Sequence, residues 1–231
     1  MSADDLKRQA AAAALDLIGP DMIVGLGTGS TSAHFIELLG ARVRDGLYVA
    51  CVPTSEESAK KASLAGIELI EPDETTIIDI AVDGTDEVDG RKQLIKGGGG
   101  ALLREKIIAH AAKRFVVIAD ASKKVAELGA FPLPIEIDRF SYALTVRAVR
   151  EALAGLGLQK AEVRLRATTV GPAFISDGGN FILDCRLGRI ADAPALERAL
   201  QAIPGVVETG LFIGLADEVL LAGPAGVERL A

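Results

Sequence analysis

Met22-Ile23-Val24-Gly25-Leu26-Gly27-Thr28-Gly29-Ser30-Thr31 is a short apolar run that breaks into glycines and hydroxyls. Its length suits a buried strand, and the residues after it, to about Leu39, read as a helix. The same figure recurs along the chain. A run over 47–52 ends in Pro53-Thr54-Ser55 and leads into a helix over 56–65, followed by a short strand at 67–70. A run over 76–82 is closed by Asp83-Gly84-Thr85-Asp86-Glu87-Val88-Asp89. Lys96-Gly97-Gly98-Gly99-Gly100 opens a helix over 102–112, and a strand over 115–119 ends at Asp120. Such alternation predicts a mostly parallel, doubly wound, Rossmann-like α/β sheet. Ligands in such sheets bind outside the carboxyl ends of the strands, where these polar motifs fall.

Working outward, a helix opens near Ser2 and Asp5, which stand at capping-box spacing. Leu6, Ala10, Ala13, Ala14 and Leu17 follow at helical intervals until Gly19-Pro20. After Gly129 the pattern changes. A strand to Ile137, a helix over 142–154 and an alternating strand over 161–167 come first. Strands at 174–176 and 181–187 then flank the turn Asp177-Gly178-Gly179-Asn180, and a helix over 193–203 precedes a strand beyond Pro204-Gly205. The order β-α-β-β-α-β predicts a smaller α+β lobe of ferredoxin-like plan. With 218–222 returning to the first sheet, the expected domains are 1–129 plus 206–231, and 130–205.

The 231 residues are 49% hydrophobic and 25% charged. A chain of this size buries roughly 70% of its unfolded surface and needs no disulfide or metal staple. Cys51 and Cys185 each sit inside an apolar run, outside any CxxC pair, and read as small buried hydrophobes. Met1–Asp5 is acidic where a secretory leader needs a basic segment, so a cytoplasmic location is expected. The apolar runs are too short to cross a bilayer of about 30 Å, and no membrane role is expected. With net charge −7, aromatics at 4% and no Trp, nucleic acid is not an expected partner. An anionic substrate would be held by a local site, which points to a small phosphorylated molecule.

Three constellations carry candidate chemistry. Gly25–Thr31 offers close backbone approach, a helix N-terminus and three hydroxyls, on Thr28, Ser30 and Thr31. It matches neither GxGxxG nor the Walker A loop, since no Gly-Lys dipeptide occurs in the chain. It is read either as a phosphate cradle or as an ordinary strand-to-helix turn. The second, Asp83 to Asp89, packs four carboxylates into seven residues. It is either a solvated acidic turn or a site; EF-hand spacing is not met, while a loosely held Mg²⁺ stays open. The third is Lys96 with its four glycines and Arg104-Glu105-Lys106 behind them. Glu105 stands near a helix start, where a carboxylate is ordinarily a dipole partner. Lys123, past the strand ending at Asp120, and Lys7, in the first helix, are weaker candidates. His34 and His110 read as structural.

In order and mutual spacing, Gly25-Leu26-Gly27-Thr28-Gly29-Ser30-Thr31, Asp83 to Asp89, Lys96 to Lys106 and Ala119-Asp120-Ala121-Ser122-Lys123 resemble the signature segments of the ribose-5-phosphate isomerase type A family. The likeness continues through Phe131-Pro132-Leu133-Pro134-Ile135-Glu136 and the region 204–212, and so spans nearly the whole chain. The resemblance implies interconversion of ribose 5-phosphate and ribulose 5-phosphate with no metal and no organic cofactor. It implies Glu105 as the general base, working through a cis-enediol(ate). Lys96 and nearby backbone N–H groups, in the Gly97, Gly98 and Gly99 loop, would stabilise that intermediate. Asp83 and Asp86 would hold sugar hydroxyls, with Asp83 assisting ring opening. Thr28, Gly29, Ser30 and Thr31 would bind the phosphate with Lys7, and Lys123 would complete the site. A homodimer or homotetramer is implied too.

Two positions depart from the family pattern. Ser176-Asp177-Gly178-Gly179-Asn180 stands where Thr-Asp-Asn-Gly-Asn is usual, and a fourth glycine follows Lys96 where alanine also occurs. The rival readings are a sugar-phosphate sensor that has lost catalysis, or another sugar-phosphate enzyme on the same scaffold. A sensor of that kind usually carries a DNA-binding module, for which no sequence precedes the first helix.

Overall fold

The computed structural model describes residues 1–169 and 171–230. In chain order the first elements are α1 (Ala3–Leu15), β1 (Ile23–Leu26), α2 (Ser30–Arg44), β2 (Ala50–Pro53), α3 (Glu56–Leu64) and β3 (Glu68–Leu69). Then come β4 (Ile80–Asp83), β5 (Glu87–Val88), β6 (Leu94–Ile95), α4 (Leu102–Ala111) and β7 (Phe115–Asp120), with a 3₁₀ turn over Ala121–Lys123. The rest is β8 (Leu133–Ile137), α5 (Tyr142–Gly155), β9 (Glu162–Leu165), β10 (Phe181–Arg186), α6 (Ala193–Gln201), β11 (Val206–Thr209), β12 (Leu211–Phe212), β13 (Glu218–Gly223) and β14 (Gly226–Leu230).

These elements form two compact units. One combines Met1–Thr85, Arg104–Lys124 and the chain from Gly214 onward; the other combines Asp86–Leu103 with Val125–Ile213. The division differs from the expected one: 86–103, 125–129 and 206–213 group with the second unit rather than the first.

In the first unit a seven-stranded sheet has the order β14-β13-β7-β4-β1-β2-β3. All neighbours are parallel except β13 and β14. Ser2 caps α1 through a complete capping box with Asp5. The helix stops at Leu15, a turn ahead of Gly19-Pro20. One face of the sheet, with Val24, Leu26, Ile80, Val82, Val116 and Ile118, packs with α1, α2 and α3 through Ala10, Ala14, Phe35, Leu39 and Ala62. Side chains alternate along a strand, so Gly25 faces the other way. A Cβ there would lie 2.5 Å from Ile108 Cγ2 of α4, which places this helix on the opposite face. The sheet is therefore covered on both sides, and the near-continuous apolar runs of β1, β4 and β7 are what such coverage demands.

In the second unit a four-stranded antiparallel sheet has the order β11-β8-β10-β9, the ferredoxin-like arrangement of β8-α5-β9-β10-α6-β11. Its core joins Ile135, Ile137 and Leu183 of the sheet to Val149 and Leu153 of α5 and Leu196 and Leu200 of α6. The expected strand at 174–176 is reduced to one antiparallel bridge, Ile175 with Phe181, beside the tight turn at 177–180. A separate three-stranded sheet, β12-β6-β5, holds the chain that leads to Lys96. Both cysteines are buried, and burial pushes each thiol up to about 12. Among the described residues no helix is long and apolar enough to cross a membrane.

Candidate active site

In the first unit β1 lies between β2 and β4. The chain leaves β1 toward β2 and β3 on one side and returns through β4 on the other, so β1 and β4 flank the topological switch point. Their carboxyl ends carry Gly27–Thr31 and Asp83. Asp83 is the last residue of β4 and is 3% exposed. Its Oδ1 accepts from the backbone N–H of Thr28 at 3.0 Å, from Ser32 Oγ at 3.2 Å and from the N–H of Gly84 at 2.6 Å. This close seat explains Gly27, where a Cβ would stand 2.0 Å from Asp83 Oδ1. At Gly29 the reason is conformational: its φ of +101° is left-handed territory that disfavours any side chain.

Gly29 is also the N-cap of α2, and no side chain caps that helix end. The first N–H groups of the helix thus face outward, with Ser30 exposed and Thr31 half-buried beside them. A helix start built this way suits an anion. Thr28 behaves differently from Ser30 and Thr31. Its hydroxyl donates to Ser55 Oγ at 2.8 Å and lies 2.9 Å from Thr54 Oγ1. Ser55 Oγ donates to Ser58 Oγ at 3.0 Å, and Ser58 Oγ to the Gly27 carbonyl at 2.7 Å. Hydroxyl chains of this kind polarise one another and stiffen the loop they close. Both donors of Thr28, its N–H to Asp83 and its hydroxyl to Ser55, are therefore taken up at the ends of the neighbouring strands β4 and β2. Thr54, Ser55 and Ser58 are the partners that the sequence reading missed; the only signal was the position of Pro53-Thr54-Ser55 at a strand end.

Glu105 lies in the first turn of α4 and is 5% exposed. Arg104, beside it, pairs with Glu56 at 2.9 Å. Lys123 closes the 3₁₀ turn after β7, whose start is capped by Asp120 accepting from the Ser122 N–H at 3.0 Å. Lys7 is half-buried on α1. His34 reaches Asp4 of α1 at 2.9 Å, a helix-to-helix tie consistent with a structural role.

The second unit holds the other candidates. Lys96 follows β6 and is only 2% exposed; its N–H donates to the Gly210 carbonyl at 2.9 Å, and its Nζ stands 5.5 Å from the centre of the Phe212 ring. Asp86 Oδ2 accepts the N–H of Gly98 at 2.8 Å, and a Cβ on Gly98 would meet Asp86 Oδ1 at 2.7 Å. Gly97 is buried while Gly98 and Gly99 are exposed, so the four-glycine run is an ordered turn closed by the Gly100 N–H donating to the Gly97 carbonyl at 3.0 Å. Glu87, within the acidic run, is 4% exposed and accepts the N–H groups of Gly129 and Phe131 at 2.7 and 2.6 Å. The run is thus divided: Asp83 and Asp86 each anchor a glycine loop, whereas Glu87 braces the chain before β8. Among the described residues no group of three or more His, Cys, Asp or Glu is placed to hold a metal ion.

Comparison with known proteins matches residues 50–226 to the family described as "Ribose 5-phosphate isomerase A (phosphoriboisomerase A)". The ribose-5-phosphate isomerase A of Rhodopseudomonas palustris strain BisB18 is 57% identical over 227 residues, covering 98% of this chain and 97% of that one. The solved ribose 5-phosphate isomerase A of Methanocaldococcus jannaschii shares 41% identity at a TM-score of 0.91, with 99% of each chain covered. A D-ribose-5-phosphate isomerase solved in complex with phospho-erythronic acid shares 40% identity at a TM-score of 0.92, covering 100% of this chain and 99% of that one.

Proposed function

Because the chain belongs to the ribose 5-phosphate isomerase A family, we propose that it interconverts D-ribose 5-phosphate and D-ribulose 5-phosphate, a step of the non-oxidative pentose phosphate pathway. The observation that carries the mechanism is the burial of Glu105 in the first turn of α4. The reaction moves one proton between adjacent carbons, C2 and C1, while the oxygens exchange roles through a cis-enediol(ate). A single carboxylate serves both carbons, and one shielded from bulk water returns the proton rather than losing it.

The remaining residues divide the work. Ser30, Thr31 and the uncapped start of α2 hold the phosphate, with Thr28 and Gly29 shaping that loop and Lys7 and Lys123 supplying positive charge. Asp83 and Asp86 accept hydrogen bonds from sugar hydroxyls, and Asp83 assists ring opening. Lys96 and the N–H groups of Gly97, Gly98 and Gly99 stabilise charge as it develops on the enediolate. The roles given to residues of the second unit rest on the family resemblance. The ligand of the phospho-erythronic acid complex, a phosphorylated sugar acid, is a chemically apt mimic of such an intermediate.

A cytoplasmic location, action on a free small molecule and self-association into a homodimer or homotetramer belong to the same reading. Phe140 and Leu144 of the second unit, 85% and 58% exposed, support self-association. The test is ketose formation from ribose 5-phosphate by the purified protein in EDTA, with ribose as control. Conversion of the phosphate alone is expected. No conversion sinks the reading, and activity that needs added Mg²⁺ turns the acidic run into a metal site.

A further inference from the structure

Arg166 lies one residue beyond β9, and its side chain is only 13% exposed. Two edges of its guanidinium are used differently. Nε and Nη2 grip the carboxylate of Asp184 on β10, at 3.0 and 2.5 Å, in a two-pronged pair. That grip fixes the plane of the fork and turns Nη1 onto the glycine loop, where it donates to the carbonyls of Gly97 at 2.9 Å and Gly98 at 3.2 Å. The guanidinium carbon also stands 5.8 Å from the centre of the Phe174 ring. Phe174 in turn fills the space beside Gly100, where a Cβ would lie 2.5 Å from the ring. Charge, stacking and packing therefore converge on one stretch of four glycines, which has no side chains with which to hold itself.

Peptide planarity gives this contact a consequence. The Gly97 carbonyl and the Gly98 N–H belong to one rigid trans unit and point in opposite directions, as do the Gly98 carbonyl and the Gly99 N–H. Pulling both carbonyls onto a cation sets the direction of both N–H groups and polarises them as donors. The Gly98 N–H is the group that holds Asp86. The Gly99 N–H is thereby aimed away from Arg166, in an exposed part of the loop. We propose that Arg166, oriented by Asp184, is a positioning residue of the isomerase: it sets the Gly98 and Gly99 peptides so that one holds Asp86 and the other donates to the enediolate. The inference rests on the isomerase reading above.

Three variants assayed beside the unaltered protein test it. In Arg166→Ala, kcat should fall by about 10²-fold, the scale expected when catalytic groups are misplaced, with KM within about threefold. Added guanidinium ion at millimolar levels should restore part of that loss. Arg166→Lys should stay low, because one ammonium cannot grip a carboxylate at two points and also reach two carbonyls. Asp184→Asn keeps the shape and weakens the grip, and should lower kcat by a smaller factor. Each variant should also move the Gly98 and Gly99 amide signals in a ¹H–¹⁵N spectrum, a readout independent of turnover. Unchanged kcat in Arg166→Lys and Asp184→Asn would overturn the proposal. So would a loss in Arg166→Ala that guanidinium does not relieve while the two amide signals stay in place. If Arg166→Ala does not fold, the other two variants decide. An unaltered protein inactive on ribose 5-phosphate would instead remove the isomerase reading, leaving the amide shifts to report on Arg166 alone.

Discussion

A base that collects a proton from one carbon and delivers it to the next must hold that proton for the lifetime of the intermediate. Glu105, the base proposed above, is shielded by its position, 5% exposed at a helix start. Glu105→Gln keeps its shape and removes its ability to accept a proton. Turnover in that variant should fall by about 10²–10⁴-fold with substrate affinity retained, measured by initial rates and by calorimetric titration. Unchanged turnover would take Glu105 out of the mechanism. The proposed phosphate contacts should fail differently. Replacing Ser30 and Thr31 together with Ala removes two donors to a charged ligand, each worth about 1.5–3 kcal/mol. The expected result is a KM raised by about a hundredfold or more with kcat nearly constant; an unaffected KM would count against this phosphate site. The residue types at these positions were readable as motifs. The commitment of Thr28 to Thr54, Ser55 and Ser58 was not, because it depends on which strand lies beside β1. Arg166 was invisible for the same reason: a lone arginine at a strand end carries no signature until the fold brings the glycine carbonyls to it.

Elements are held in register by side chains at their ends. Asp79, just ahead of β4, accepts the Ile23 N–H at the start of β1 and pairs with Lys113, ahead of β7, at 2.8 Å. The Lys113 hydrogen bond, followed by that backbone N–H, holds its carboxyl below the usual carboxylate range. A carboxylate with a lowered folded pKa contributes stability above its unfolded pKa and loses it as the pH falls through the folded value. Asp79→Asn should therefore lower the urea midpoint at pH 7, and the gap from the parent should narrow toward pH 3. A gap independent of pH would show that the charge of Asp79 is not what matters. Long elements with a clear period were legible from sequence. The helix expected to end near Leu39 runs on to Arg44; Gly40 does not break it and lets α2 come close to Ala65, whose Cβ would lie 2.6 Å from one built at Gly40. Strands of two residues, β5, β6 and β12, have no period to read. The antiparallel β14 has no strand period of its own; pairing with β13 is what makes it a strand.

At the scale of the molecule, neither unit is one continuous piece of chain. The change of pattern after Gly129 announces a second unit, yet 86–103 and 206–213 belong to it as well, through pairings made across the sequence. In the first unit β13 joins β7 residue by residue, Glu218 beside Val116 through Ala222 beside Asp120. Phe115 takes part too, its N–H donating to Asp217 at 2.7 Å. A fragment of residues 1–129 would keep β7 and lose β13. All six residues of β7 are buried in the whole protein, so the fragment would present a long apolar edge. It should be insoluble or lack the cooperative melting of the full chain, as read by sedimentation and circular dichroism; a soluble, cooperatively melting fragment would contradict this account. The late arrival of β13 matters for how the protein is made. A ribosome delivers residues in order, so β7 must wait, unpaired on one side, while nearly a hundred further residues are added. The larger part of the second unit, 125–213, is synthesised within that interval, joins the 86–103 already made, and can form while the first is still open. Completion of the first unit thus waits for β13 to emerge, and a helper protein that shields bare strand edges would act during that window.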